Sequence, residues 1–365
     1  MIVMNDLEKA RQLIDEADRE IARQFEKRMD AARLVAAYKK ERGLPILDAE
    51  REREIIARNR EWIKDEAYRA YYVPFMQAMM AQSRAFQSRL NDGVRVAFSG
   101  VEGAFADIAA GRIFPEATTV PHKDFKAAYD AVVNGDCDCA VLPLENSYNG
   151  DVGAVMDLAF FGPLYINGMF DIAVEQNLLA VKGTTMDQVK TVISHPQALG
   201  QCAEYIREHG FDTVEAVNTA VAAKQVAEWG RHDVAAIASD EAAQKYGLKK
   251  LEARINKSNQ NTTRFAVFSR TPKNDSPANS RFILLFTVKN EAGSLGQAIS
   301  VIGSHGFNLR ALKSRPARDL IWSYYFYAEG EGNIAGEDGN KMLEELGTCC
   351  DQVRVIASFE KEIQL

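Results

Sequence analysis

The sequence predicts a multidomain chain of α and α/β class: an all-helical block, then an α/β region, then a ferredoxin-like βαββαβ unit. Three observations carry this. Residues 1–91 hold only Gly43 and Pro45 as breakers before Pro74 and are dense in Ala, Glu, Arg and Lys at helical periodicity. From Val94 short β-rich runs alternate with helical stretches, the texture of βαβ units and a largely parallel sheet. After the polar linker "TPKNDSPANS", residues 281–365 read strand, helix, strand, strand, helix, strand. A chain of 365 residues has room for two or three domains. The boundaries expected are 1–91, 93–270, a linker over 271–280, and 281–365.

In the first block one long helix runs to about Arg42, a turn follows over 43–45, a second helix starts at Asp48, and a third ends near Leu90. Arg28 and Lys39 on the first helix lie about 20° apart in azimuth and about 16 Å apart along the axis. Two long cationic side chains so placed can converge on one small anion. Arg11 is about 25 Å from Arg28 and turned by about 100°, so it can join that site only from a partner chain. Asp48 reads as an N-cap followed by acids that favour the helix dipole. Asp48, Arg51 and Glu52 also share one helix face, as do Ser83 and Gln87 on the third helix.

In the middle region "VRVAF", "CAVLPL", "TVISH" and "FAVF" are the strands. The stretch "VLPLENSYNG" ends a buried strand in Glu145, Asn146 and Ser147. Those residues make a turn, a binding loop, or both, because open α/β sheets hold ligands at the carboxyl ends of their strands. Ser194-His195-Pro196 reads as a helix start, with Ser194 as cap and Pro196 in the first turn.

Composition narrows the function. The chain is 47% hydrophobic and 26% charged, ordinary for a globular protein. Its net charge of −7 argues against nucleic-acid binding. No apolar run reaches membrane-span length, and the opening MIVMNDLEKA lacks the apolar core of a signal peptide, so a cytoplasmic protein is expected. The five cysteines fit neither a zinc site nor a disulfide framework. No glycine-rich phosphate loop is present. Neither metal nor cofactor is expected.

Arg11, Arg28, Lys39, Asp48, Arg51, Glu52, Ser83 and Gln87, joined by "LDAERE", make the first block resemble the all-helical chorismate mutases. That resemblance implies rearrangement of chorismate to prephenate by a [3,3] shift that needs no nucleophile. Arg28 and a partner's Arg11 would clamp carboxylates, Lys39 and Gln87 would face the ether oxygen, and Asp48 and Glu52 would hold the ring hydroxyl. Arg51 and Ser83 would complete the substrate site.

"VEGAFADIAA", "LPLENSYNG", "SHPQALGQC", "AAIASDEAAQKYGL" and "NTTRF", in that order, make the middle region resemble prephenate dehydratase. This implies two α/β lobes, like periplasmic binding proteins, with the site in the cleft. Thr263 would stand nearest the departing hydroxyl, Arg264 and Phe265 would shape the pocket, and Glu145, Asn146, Ser147, Ser194 and Gln197 would line it. "NEAGSLGQAI" and "LKSRP" resemble an ACT domain, where Gly293, Ser294, Leu295, Asn308 and Leu309 would bind phenylalanine as a feedback inhibitor. A homodimer is implied. The rival expectations are a binding module without chemistry, a dehydratase acting on arogenate, and a dehydratase whose helical block serves only dimerisation.

Overall fold

The computed structural model describes residues 6–256, 261–273, 281–316 and 324–365. The chain forms two compact units, Met1–Arg95 with Asn134–Asp136, and Val96–Val133 with Cys137–Leu365.

The first unit is built from helices α1 (Asp6–Glu41), α2 (Ala49–Arg60) and α3 (Glu66–Asp92). Asp48 and Asp65 cap α2 and α3, accepting from the amides of Arg51 and Ala67. Pro74 reads as a breaker yet sits inside α3. The helix runs through it because Met76, Met80, Ser83 and Gln87 form one buried stripe that outweighs a lost backbone bond. On the 36-residue α1 the buried positions are Ala32 and Ala36, while Leu7, Ile14, Ile21 and Val35 are exposed.

The second unit opens with a lobe of β1 (Arg95–Ser99), α4 (Phe105–Ile113), β2 (Thr118–His122), α5 (Phe125–Val133), β3 (Cys139–Asn146), β4 (Gly150–Asp151), α6 (Gly153–Phe161) and β5 (Tyr165–Ala173). A second lobe follows with β6 (Asn177–Ala180), β7 (Thr191–Ser194), α7 (Pro196–Gln201), α8 (Ala203–His209), β8 (Asp212–Glu215), α9 (Thr219–Trp229), β9 (Val234–Ala238), α10 (Asp240–Tyr246) and β10 (Lys249–Glu252). The chain then returns to the first lobe as β11 (Thr262–Ser269).

Both sheets are mixed rather than largely parallel. In the first lobe β1 and β3 are parallel, but β11 lies between β3 and β5 and is antiparallel to both. The cause is the double crossing. β5 leaves at the cleft end, so the returning β11 enters from that end. In the second lobe, ordered β10-β6-β9-β7-β8, the strands β6 and β10 flank the crossings and are antiparallel for the same reason. The expected helix start at Ser194 also shifts by one. Ser194 is the buried last residue of β7 and donates to the Ile237 carbonyl, while His195 caps α7 through Nδ1 and Pro196 opens the helix.

Residues from 281 onward form β12 (Arg281–Thr287), α11 (Ser294–Ser304), β13 (Asn308–Pro316), β14 (Tyr324–Glu331), α12 (Glu337–Cys349), β15 (Gln352–Phe359) and β16 (Ile363–Gln364). The strand order is β13-β14-β12-β15 with antiparallel neighbours. One face, with Phe282, Leu284 and Phe286, packs on α11 and α12. The other, with Ile283, Leu285 and Tyr327, enters the core of the first lobe. β15 and β16 pair with β5, so this sheet and the first lobe's sheet are one sheet of 11 strands. Of the linker expected over 271–280, residues 274–280 lie outside the described residues.

No described helix is long and apolar enough to cross a membrane, and no described cluster of His, Cys, Asp and Glu could hold a metal. Burial pushes the Cys202 thiol up to about 12.

Candidate active sites

A cavity of about 410 Å3 lies between the two lobes of the second unit. The first lobe supplies Phe105, Phe125, Pro143, Asn146, Thr263 and Phe265; the crossings supply Val174, Gln176 and Asn261; the second lobe supplies His195, Gln197, Gln201, Asn218 and Thr219. Among the described lining residues there is no Asp, Glu, Lys or Arg. Polarity comes instead from amides, the hydroxyls of Thr219 and Thr263, the His195 imidazole, and the first turns of α4 and α9. Asn218 caps α9, whereas no side chain caps α4. Helix N-termini carry partial positive charge and backbone N–H donors, which suits a carboxylate.

Asn146 is the hub of this cavity. Its register partner across β3 and β11 is Thr263. The Asn146 amide nitrogen donates to Thr263 Oγ1 and to Asn261 Oδ1, each at 2.9 Å. Its Oδ1 accepts from the backbone amides of Tyr148 and Asn149, both at 3.0 Å. The amide chain continues: Asn261 donates to Gln201 Oε1 at 3.0 Å, and Gln176 Nε2 reaches the same oxygen at 3.4 Å. Thr263 therefore accepts a hydrogen bond from Asn146, and its own proton is available to an acceptor in the cleft. Gln176 is 2% exposed, and its Oε1 has no protein partner.

Strand alternation separates the residues that the sequence groups together. Asn146, Thr263 and Phe265 face the cavity. Glu145 and Arg264, paired across the same ladder, are absent from its lining. Arg264 instead holds Asp171 through two bonds of 2.8 and 3.2 Å and stands 3.6 Å from Glu145. The bidentate bond to Asp171 keeps the guanidinium above its usual pKa, outweighing burial. Ser147 is exposed and locks the hairpin by accepting from the Thr262 amide at 2.9 Å. Gln197 lines the cavity and Ser194 does not. Sequence reasoning passed over Asn261, Gln201, Gln176, Asn218 and Thr219. Asn261 and Gln201 lay inside quoted motifs, and their amide character was the available signal.

In the helical unit Arg28 donates to Ser83 Oγ at 2.5 Å, and Ser83 and Gln87 are buried one turn apart on α3. Gln87 Oε1 is buried without a partner. Glu52 accepts from Arg84 at 2.5 Å, and Arg84 is a residue the sequence reading missed although it adjoins Ser83. Lys39 turns to the Ile46 carbonyl at 2.6 Å. Asp48 is occupied as the α2 cap, and Arg51 is exposed beside Glu54 at 3.5 Å. Arg11 is exposed on α1. One chain thus brings together Arg28, Ser83 and Gln87, and separately Glu52 and Arg84. It does not gather Arg11, Lys39 or Arg51 onto them.

The family descriptions "Prephenate dehydratase" and "Chorismate mutase type II" match residues 96–273 and 10–88 respectively. The bifunctional chorismate mutase/prephenate dehydratase of Escherichia coli K12 is 28% identical over 374 residues, covering 98% of this chain and 97% of that protein. The chloroplastic arogenate dehydratase/prephenate dehydratase 2 of Arabidopsis thaliana is 33% identical over 299 residues, 78% of each chain. Among solved structures, the prephenate dehydratase of Arthrobacter aurescens in complex with L-Phe is 25% identical, with a TM-score of 0.68 over 73% of this chain and 90% of that one. The chain belongs to the prephenate dehydratase family and joins to that domain a type II chorismate mutase domain, the organisation of a bifunctional chorismate mutase/prephenate dehydratase.

Proposed function

We propose that the helical unit rearranges chorismate around Arg28, and that the cleft between the lobes dehydrates and decarboxylates prephenate on Thr263. In the first reaction the ether C–O bond breaks as a C–C bond forms, and negative charge builds on the ether oxygen. Arg28 suits a substrate carboxylate because its fork is bidentate. By resemblance Gln87, buried on α3 one turn from Ser83, would turn its Nε2 donor to that oxygen. Lys39, Asp48, Glu52, Arg51 and Ser83 complete the site by resemblance. Leu7, Ile14, Ile21 and Val35 recur every seven residues on α1, and Arg28 falls in the same series. Such an exposed stripe suits a second copy of the chain, which would bring in the partner's Arg11.

In the second reaction the ring C–CO2 bond breaks, its electrons aromatise the ring, and the ring hydroxyl departs with one proton as water. The Asn146–Thr263 bond carries this reading. It leaves the Thr263 proton for the departing oxygen. A largely apolar cleft whose described lining holds no Lys or Arg also favours loss of CO2, since a tight ion pair would stabilise the substrate carboxylate more than the transition state. The remaining side-chain carboxylate suits the uncapped first turn of α4. Arogenate carries an ammonium where prephenate has a keto oxygen, and the described lining offers no acid to pair with it, which favours prephenate.

The βαββαβ module reads as an ACT domain with phenylalanine as effector. Gly293 takes a left-handed φ of 91° at the start of α11, Ser294 and Leu295 form its first turn, and Asn308 and Leu309 open β13. The L-Phe complex of the Arthrobacter aurescens relative supports this choice.

The test is to feed purified protein chorismate, prephenate and arogenate, following phenylpyruvate and phenylalanine. Arg28→Ala should abolish the mutase and spare the dehydratase; Thr263→Ala should do the reverse. Loss of both activities in either folded variant would disprove separate sites.

A further inference from the structure

β13 is an edge strand, and its inner face carries two cations toward the first lobe. A register shift between Leu309 and Ala311 puts a bulge in the strand. Leu309 consequently packs with the core under α11 and α12, while Lys313 and Arg315 stand opposite Tyr327 and Tyr325, on the face that meets the first lobe. Lys313 Nζ lies 2.9 Å from Glu145 and 2.6 Å from Asp151. Those two acids are register partners, one on β3 and one on β4. A single ammonium thus ties both strands of the hairpin that carries Asn146. Arg315 secures the next segment. It donates to Asp157 on α6 at 3.0 Å, and a Cβ added at Gly153 would come within 2.6 Å of its guanidinium.

We infer that Lys313 is a positioning residue for the dehydratase site, acting from the C-terminal module through the Glu145–Asp151 hairpin to fix Asn146 and so the Thr263 hydroxyl. Glu145 and Arg264 form the reverse side of the strands that present Asn146 and Thr263 to the cleft, so the charge lattice and the reacting hydroxyl share two backbones. The side chains of Lys313, Glu145 and Asp151 are 22%, 33% and 32% exposed, so solvent screens them only in part. Burial opposes the Lys313 charge, but its bonds to Asp151 and Glu145 outweigh it and hold the pKa above the usual lysine range. A carboxylate at 313 would instead face two others and push the hairpin away.

This inference rests on the reading that the cleft dehydrates prephenate. The experiment compares Lys313→Met, Lys313→Arg and Asn146→Ala with the double variant Lys313→Met/Asn146→Ala, measuring kcat and KM for prephenate and the melting temperature. Lys313→Met should lower kcat about tenfold, the scale of a small misplacement of a reacting group, with KM within about twofold. Lys313→Arg should recover most of that loss. The double variant should be no slower than Asn146→Ala alone, because both changes act through one amide. A Lys313→Met kcat equal to that of the unchanged protein, a loss confined to KM, or a double variant slower by the product of the two single effects would overturn the inference. If Lys313→Met melts too low to assay, the Lys313→Arg variant decides: unchanged kcat and KM support the clamp, and a tenfold lower kcat rejects it. An unaltered protein inactive on prephenate would defeat the underlying reading instead.

Discussion

At the scale of single residues, function depends on which way each side chain of one ladder points. Asn146→Asp tests this most sharply. The new carboxylate would accept where Asn146 donates, drawing the Thr263 proton toward itself and away from the cleft. The expected outcome is a fall in dehydratase kcat of about 10²-fold, at the lower end for loss of a general acid. KM for prephenate should change little, and chorismate consumption by the helical unit should be unaffected. Steady-state kinetics with each substrate checks this. The sequence marked Glu145-Asn146-Ser147 as a turn, a binding loop, or both; Asn146 Oδ1 makes the turn and its side chain lines the cavity, whereas Glu145 and Ser147 do not line it. What the sequence could not disclose is the face of each neighbour. A period of two says that Glu145 and Asn146 oppose each other, but only the pairing with β11 decides which one meets the cleft. Arg264 is the same case, a cation that looks like a carboxylate clamp and is committed to Asp171.

At the scale of elements, α1 is the outlier. It is 36 residues long, about 54 Å, and exposes Leu7, Ile14, Ile21 and Val35 along one stripe. If a second chain covers that stripe, a protein mixed from Arg11→Ala and Arg28→Ala chains should regain mutase activity after subunit exchange. Each heterodimer, half of all dimers after random exchange, would then contain one site with both arginines intact. The expected recovery is about a quarter of the unaltered rate, read from chorismate consumption, while each variant alone stays inactive. No recovery after exchange is verified by mass would mean that each site uses only its own chain. The three helices were legible because their caps and breakers are local signals, Asp48 above all. Mixed sheet polarity was not, because alternating strands and helices look the same whether a strand returns from a neighbouring lobe or continues a parallel run.

At the scale of the whole second unit, the C-terminal module is structural as well as a candidate sensor. β15 and β16 lie on β5, the Phe160 ring stacks on Tyr325 at 4.0 Å, and Gln364 donates to Asp171, the partner of Arg264. A chain cut after Arg270 loses all of these. Each large apolar side chain uncovered costs about 2 kcal/mol, so several together should lower the melting transition of the lobes by more than about 10 °C. Calorimetric scans of the cut and full-length proteins check this. It follows that effector binding is better tested by titrating phenylalanine into the intact chain than by truncation.

The place of β11 has one more consequence, for the order of events during synthesis. β3 and β5 emerge early but do not pair with each other; the strand that joins them arrives only after the entire second lobe. The nascent first lobe therefore waits with two apolar strand edges open while about 90 more residues are made, which takes seconds at ordinary elongation rates. The second lobe's sheet draws on residues 177–252 alone and needs no later segment. It is the part able to fold first, and the exposed edges of β3 and β5 are where a chaperone would be needed most.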